Sequence, residues 1–311
     1  MHSPITGVDA LPEIDPPALG RSAIAGNTFR AYLNLMKPHV TSLLLAITAL
    51  TMVMAARGMV APLLFGATLL GGLLAAGSAN AINCYIDRDI DQLMGRTMRR
   101  SVPAGKVSPR HALIFGVAMG AISFVEMTLL VNLLAAALAF SGILFYVLIY
   151  TRWLKRTTVQ NIVIGGAAGA VPALVGWAAV TGSINLAAIL LFAVVFFWTP
   201  PHFWALSLLI KRDYERAGIP MLPVIKGDRE TRKQILIYTF VLVAVTLSLF
   251  ATGAMGYLYL AAALILGATM IYIAVRLLRA ESLQWANRLF WFSNSYLAIL
   301  FAVMALDRVL G

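Results

Sequence analysis

Acidic residues are scarce in this chain, 13 against 24 basic ones in 311, and charged residues of both signs make up only 12% of it. There is one cysteine, Cys84, which excludes an internal disulfide. With 60% hydrophobic residues and a mean hydropathy of +0.85, too little polar material remains to cover a soluble globule. Alternation of polar and apolar residues is also lacking. The apolar runs are continuous and about 20 residues long, the length that crosses a bilayer core. Backbone groups there find no water, so such runs must be helices or a closed barrel, and unbroken apolar runs point to helices. The expected fold class is all-α and polytopic.

Nine spans are expected, at about 39–56, 61–85, 111–131, 133–150, 159–180, 185–210, 233–252, 255–275 and 288–308. Of the 24 Lys and Arg residues, 22 fall on one side of this arrangement and only Arg57 and Arg308 on the other. The positive-inside rule places the 22 in the cytoplasm, with the N-terminus cytoplasmic and the C-terminus outside. The same one-sidedness assigns the net charge of +11 to the lipid bilayer and excludes a nucleic-acid partner. Residues 1–28 carry Pro4, Pro12, Pro16 and Pro17 with Asp9, Glu13 and Asp15, a pattern of neither a secretory signal nor an Arg-rich transit peptide. They are expected to form a disordered cytosolic tail, with 29–311 a single membrane domain in a bacterial cytoplasmic (inner) membrane. Spans two and six run in the same direction and precede the longer inner loops, which suggests two four-helix units plus one extra helix.

Charge density jumps in residues 79–110. Asn83, Asp87 and Asp91 fall at i, i+4 and i+8, one turn apart on one helix face. A column of oxygen-bearing side chains suits a hard cation, and Mg²⁺ binds through one or two carboxylates, water and substrate phosphates. Arg96, Thr97, Arg99, Arg100 and Lys106 come directly after and offer cations and a hydroxyl to those phosphates. The stretch reads as a metal–diphosphate site; the bland alternative is a solvated helix end with locally paired charges. Carboxylates at the foot of a span are costly, which favours function. Asp89 lies about 200° round the helix from Asp87, so a local ion pair is expected for it, with Arg88 or a neighbouring loop.

Other candidates are spread over the cytoplasmic ends. Lys37, just before the first span, reads as an interface anchor, with a phosphate contact as the alternative. Glu126, the only acid well inside a span, reads as interfacial. The fourth span ends in Tyr150-Thr151-Arg152-Trp153-Leu154-Lys155-Arg156, cations at a helix C-terminus. Lys155 and Arg156 either anchor topology or clamp a diphosphate, and charge alone leaves both open. Asn161 is candidate polar lining, while Gly165, Gly166, Gly169 and Gly176 on the same span read as packing positions. In the sixth span Pro200-Pro201 should kink the helix beside His202. A histidine at that depth needs a ligand or a partner on a neighbouring helix. Asp213, 11 residues on, falls on nearly the same face if the helix continues. An acid at the membrane surface above a deep imidazole suits an amphiphilic substrate pair. Residues 216–223, apolar and proline-stiffened, are expected to form a lid. Trp285, Phe290, Trp291 and Phe292 read as an interfacial aromatic belt.

Asn83-x-x-x-Asp87-x-x-x-Asp91-x-x-x-x-Arg96-Thr97-x-x-Arg100 resembles the first acidic motif of the UbiA superfamily of intramembrane prenyltransferases. Within it, Trp198-Thr199-Pro200-Pro201-His202-Phe203-Trp204-Ala205-Leu206 and Asp213-Tyr214-x-x-Ala217-Gly218-Ile219-Pro220-Met221-Leu222-Pro223 are similar to the haem-prenylating branch, and Tyr150-Thr151-x-x-Leu154-Lys155-Arg156 fits it. The resemblance spans roughly residues 30–305. It implies transfer of farnesyl from farnesyl diphosphate to a vinyl group of haem B with addition of water, giving haem O for terminal oxidase biogenesis. It further implies Mg²⁺ on Asn83, Asp87, Asp91 and Asp213, with Arg96, Arg100, Lys155 and Arg156 on the diphosphate. Tyr150, Asn161, Lys37 and His202 would line the substrates. A haem A synthase or terminal oxidase assembly factors are the partners to expect. Many relatives carry a second aspartate four residues after the first in the second motif; here Asp213 is followed by Ala217. The alternatives are a prenyltransferase acting on a phenol or quinone precursor, and a secondary transporter, against which stands the placement of the acids at helix ends.

Overall fold

The computed structural model describes residues 21–280 and 282–311, so most of the stretch read as a tail lies outside the described residues. Helix α1 (Arg21–Leu35) is followed by α2 (Pro38–Ala56), α3 (Pro62–Ile86), the short α4 (Arg88–Asp91) and α5 (Pro109–Leu130). Next come α6 (Leu133–Leu144), a π-helix (Phe145–Leu154) and α7 (Lys155–Thr157), which together form one span. The chain continues with α8 (Asn161–Thr181), α9 (Leu186–Leu209), α10 (Lys211–Arg216), α11 (Leu222–Ile225), α12 (Gly227–Ala251), α13 (Tyr257–Arg279) and α14 (Gln284–Leu310). Among the described residues, nine helices are long and apolar enough to cross a membrane, in agreement with the spans expected from hydropathy.

Local chemistry sets the helix ends. Pro38, Pro62 and Pro109 stand in the first turns of α2, α3 and α5, where the missing N–H costs nothing. Asn132 and Asn185 cap α6 and α9 by accepting from the N–H of Ala135 and Ala188 at 2.8 and 3.1 Å. Asp307 on α14 caps α13 across space, accepting from the N–H of Gly256 and Tyr259.

Helix α3 packs on α5, and α2 on α8, α3 and α14. Helix α6 packs on α5 and α8. Helices α9, α12, α13 and α14 close on one another around buried Leu242, Tyr259, Tyr296 and Phe301. The ninth span, α14, packs on α13, α9 and α2. Helices α2, α3, α6 and α8 line a largely apolar cavity between them, walled by small residues such as Gly72, Ala75 and Gly142. Both carboxyl oxygens of Glu126 are buried between helices, with Oε2 2.6 Å from where a Cβ on Gly71 of α3 would stand.

Candidate active site

The acidic column survives a break in its helix. Helix α3 stops at Ile86, and Asp87 takes φ −84° and ψ 5°. Two backbone bonds nevertheless carry the register on, Asp87 N–H to Asn83 C=O at 2.9 Å and Asp91 N–H to Asp87 C=O at 2.8 Å. Asn83, Asp87 and Asp91 are 3%, 0% and 1% exposed, so two ionisable carboxyls are buried at the foot of a membrane span. Each meets a cation. Lys155 Nζ lies 2.5 Å from Asp87 Oδ2, with Arg156 3.5 Å from Oδ1. Arg100 Nη1 donates to both oxygens of Asp91 at 2.9 and 2.8 Å. Asn83 donates to Asp87 Oδ2 at 2.7 Å and to Thr151 Oγ1 at 3.2 Å, and accepts from Lys37 Nζ at 2.6 Å.

Lys37 is thus part of the site and not a snorkelling anchor. It sits between α1 and α2 in the left-handed region, φ 49°, a strained conformation for a residue with a Cβ that surrounding contacts must hold. Burial lowers its pKa to about 8. Asp89 does not pair within its own turn. It receives both Arg156 nitrogens at 2.7 and 2.8 Å, which hold its carboxyl down at about 2.

The basic loop after α4 is folded back by three contacts. Thr97 donates to Asp91 C=O at 2.8 Å, and Ser101 to Ala31 C=O at 2.7 Å. Val102 and Val107 pack with Ala31, Leu35, Ala81 and Cys84. This turns Arg100 onto Asp91 and Arg96 onto Tyr214, whose phenol is pushed up to about 12 by burial against the pull of that Arg96.

The π-helix brings the fourth span into register. Lys155 and Tyr146 are nine residues apart, two and a half α-helical turns, and in an α-helix would point opposite ways. In a helix closed by i→i+5 bonds, residues five apart stack. Tyr146 then aligns with Thr151, and Tyr150 with Lys155, whose N–H bonds to Tyr150 C=O. As a result Thr151 and Lys155 reach Asn83 and Asp87 while Tyr146 lines the cavity, with its ring 5.4 Å from that of Tyr150.

The second motif is built differently from its expectation. Helix α9 runs through Pro200 and Pro201 but ends at Leu209, and Ile210 turns the chain before α10. His202 and Asp213 therefore do not share a helix face. Asp213 pairs with Arg216 and lies 3.8 Å from where a Cβ on Gly95 would stand, over the loop that leaves Asp91. His202 is packed between Trp198 and Phe290, ring centroids 4.2 and 4.8 Å away. Its Nδ1 is 2.7 Å from Ser293 Oγ. Ser293 Oγ also lies 2.8 Å from Phe290 C=O; with its one proton directed there, Nδ1 is the donor and Nε2 keeps a lone pair. Phe290, read from the sequence as part of an interfacial belt, also joins this stack. Residues 216–223 form a plug and not an exposed flap, with Ile219, Met221 and Leu222 buried in the core. Asn161, 0% exposed, donates to Thr158 C=O and reaches Pro220 C=O, tying α8 to that plug, and its Oδ1 has no partner.

The cavity begins directly beneath the acidic column. Asn80 and Tyr146 line its upper end and Gly72 and Val175 its lower part. Eight residues of α3 separate Asn80 from Gly72, about 12 Å along the axis. Its wall is almost wholly apolar, which suits a hydrocarbon chain hanging from a charged head. Asn80, held by Met36 C=O at 3.1 Å, and Tyr146 line this cavity and are absent from the residues expected from the sequence. Asn80 falls three residues before Asn83, a signal available in the sequence. Tyr146 becomes legible only with the π-helix.

Asn83, Asp87 and Asp91 are hard oxygen donors and fit Mg²⁺ chemistry. Among the described residues no three of His, Cys, Asp and Glu converge into a ready-made metal cluster, so water and phosphate would have to complete the shell.

Residues 43–298 match the model of the UbiA prenyltransferase family. The chain is 56% identical over 279 residues to protoheme IX farnesyltransferase of Gloeobacter violaceus, covering 89% of this chain and 92% of that one. It is 52% identical to the protein of the same name from Symbiobacterium thermophilum, covering 91% and 95%. Among solved structures, digeranylgeranylglyceryl phosphate synthase superposes with a TM-score of 0.77 at 17% identity, covering 91% of this chain and 99% of that one. A UbiA homolog from Archaeoglobus fulgidus bound to DMAPP and Mg²⁺ gives 0.64 at 16%, covering 88% and 98%.

Proposed function

This chain belongs to the UbiA prenyltransferase family, and from that premise we infer that it transfers the farnesyl group of farnesyl diphosphate to a vinyl group of haem B, giving haem O. The observation that carries the reading is the buried acid–cation column standing on an apolar cavity between α2, α3, α6 and α8. The C–O bond of the donor breaks and diphosphate leaves with the electron pair. The terminal vinyl carbon bonds to farnesyl C1, water adds to the carbon next to the ring, and a proton is released. Mg²⁺ bound by Asn83, Asp87, Asp91 and Asp213 would stabilise the charge that grows on the leaving group. Lys155, Arg156 and Arg100 rest on Asp87 and Asp91, within reach of phosphates placed between them. Arg96 and Lys37 extend the same rim. This is preorganised charge stabilisation in a water-poor site. The cavity takes the farnesyl chain and keeps stray water from the allylic cation.

His202 presents Nε2 to the haem acceptor, with Ser293 setting the tautomer. The cation-rich ends face the cytoplasm of a bacterial inner membrane, so the N-terminus is inside. Haem A synthase or terminal oxidase assembly factors would receive the product.

The test is reconstitution. Purified protein in lipid with farnesyl diphosphate, Mg²⁺ and haem B should yield a haem heavier by a farnesyl group plus water, and none when EDTA is present. Unchanged haem B beside prenylation of a phenol or quinone precursor would discard the acceptor and keep the donor site.

Lys37 gives the reaction a pH limb. Its amine titrates at about 8, so KM for the donor should rise as pH climbs through that value. In Lys37→Arg, which stays charged, the limb should vanish. Because the folded-state pKa lies below the usual 10.5, the fold gains stability as pH rises from about 8 toward 10.5. Weaker donor binding over that window is therefore not unfolding.

A further inference from the structure

Helix α8 carries a proline in its interior, Pro172. Proline has no N–H, so the carbonyl four residues back, that of Ala168, loses its intrahelical partner and is pushed aside by the ring. Ala168 and Pro172 both border the cavity, as does Gly169 between them. The missing bond would have run along the helix surface from one to the other, so the freed carbonyl lies on the cavity wall. Among the described residues no side chain donates to it. Thr48 of α2, which borders the same space, donates to Leu44 C=O at 3.1 Å and Pro172 C=O at 3.4 Å instead. A carbonyl left open at membrane depth is costly unless something in the cavity answers it.

The depth of this carbonyl points to its partner. Ala168 stands seven residues into α8 from Asn161, about 10 Å below the cytoplasmic end of that helix. Asn80, at the upper end of the cavity, stands the same seven residues below Asp87 on α3. The carbonyl therefore borders the space just under the acidic column, where the first carbons of a chain hung from that column must lie.

We propose that the Ala168 carbonyl, freed by Pro172, stabilises the allylic cation that forms over C1 to C3 of the prenyl donor as diphosphate leaves. The inference rests on the reading that the column holds the diphosphate and the cavity its chain. Cations above answer the leaving anion, and a fixed partial negative charge below answers the carbon that stays behind. In an apolar wall such a dipole acts without reorganising. An amide oxygen is also a far weaker nucleophile than a carboxylate, so the cation survives until the vinyl group attacks. Pro172 touches no reacting atom through this bond; it is a positioning residue that acts through Ala168.

The test is binding of two donor analogues in lipid with Mg²⁺. Farnesyl thiolodiphosphate has an uncharged chain, and 3-azafarnesyl diphosphate carries a tertiary ammonium where the cation's charge would lie. Pro172→Ala restores an N–H to Ala168 C=O. It should weaken binding of the aza analogue at least about tenfold and leave the thiolo analogue within about twofold, with kcat for farnesyl transfer falling while KM for the donor holds. Pro172→Gly returns the same N–H without a side chain and should show the same selective loss, and it carries the test alone if alanine prevents folding. An equal change for both analogues would make Pro172 a matter of cavity shape; that result, or no change for either, overturns the proposal. A wild-type protein that binds neither analogue overturns the donor-site reading itself, and this inference with it.

Discussion

Asp87→Asn should reduce farnesyl transfer by about 10²–10³-fold, the scale of losing one fixed group that stabilises charge in a transition state. Asp87 is 0% exposed and paired with Lys155, which is itself only 12% exposed. The substitution therefore also leaves a cation without its partner, at a cost of about 3 kcal/mol, the lower end for a broken buried pair because Arg156 and Asp89 stand close by. Loss of stability and loss of catalysis are separable. Pairing Asp87→Asn with Lys155→Met removes the orphaned charge and should return most of the melting temperature. Transfer should stay at or below the level of the single variant, because Lys155 also faces the diphosphate. If activity returned together with stability, Asp87 would be a structural half of an ion pair and the metal–diphosphate reading of the column would fail.

Deleting one residue from the π-helix, Leu148, should abolish transfer with an effect at least as large. Leu148 is 48% exposed on the lipid side, so its own contacts matter little. Its removal closes the i→i+5 turns to i→i+4, and the segment after the deletion rotates by about 100° relative to the segment before it. Either Tyr146 leaves the cavity or Lys155 leaves Asp87; the two cannot both stay. The expected result is a helical protein that inserts into membranes and has lost roughly 100-fold or more in rate, whereas Leu148→Ala, which keeps the count, should retain activity. Wild-type rates from the deletion would show that Lys155 reaches Asp87 without help from the π-helical register.

Much of this protein is determined along the chain. Nine apolar runs in lipid have no alternative to helices, because the bilayer offers no partner for a free N–H or C=O. The column Asn83, Asp87 and Asp91 is a matter of counting by fours, and it persists through the break at Asp87 because the backbone bonds to Asn83 and from Asp91 are kept. The cations that face it were also legible as types, since buried carboxyls demand compensation. Which cation meets which acid was not. Asp89 reaches Arg156, 67 residues away, and Lys37 reaches Asn83 across a strained turn, pairings that depend on how separate helices pack. His202 and Asp213 part company because Ile210 turns the chain, and no residue there announces the turn as glycine or proline would. The π-helix is invisible to a 3.6-residue count, since its register is chosen by the contacts of Thr151 and Lys155 with α3 and not by local propensity. Sequence alone determined the membrane helices and the chemistry available at one end of them. Tertiary packing decided where that chemistry converges and how deep a space lies beneath it, since those depend on distances between helices that no single helix encodes.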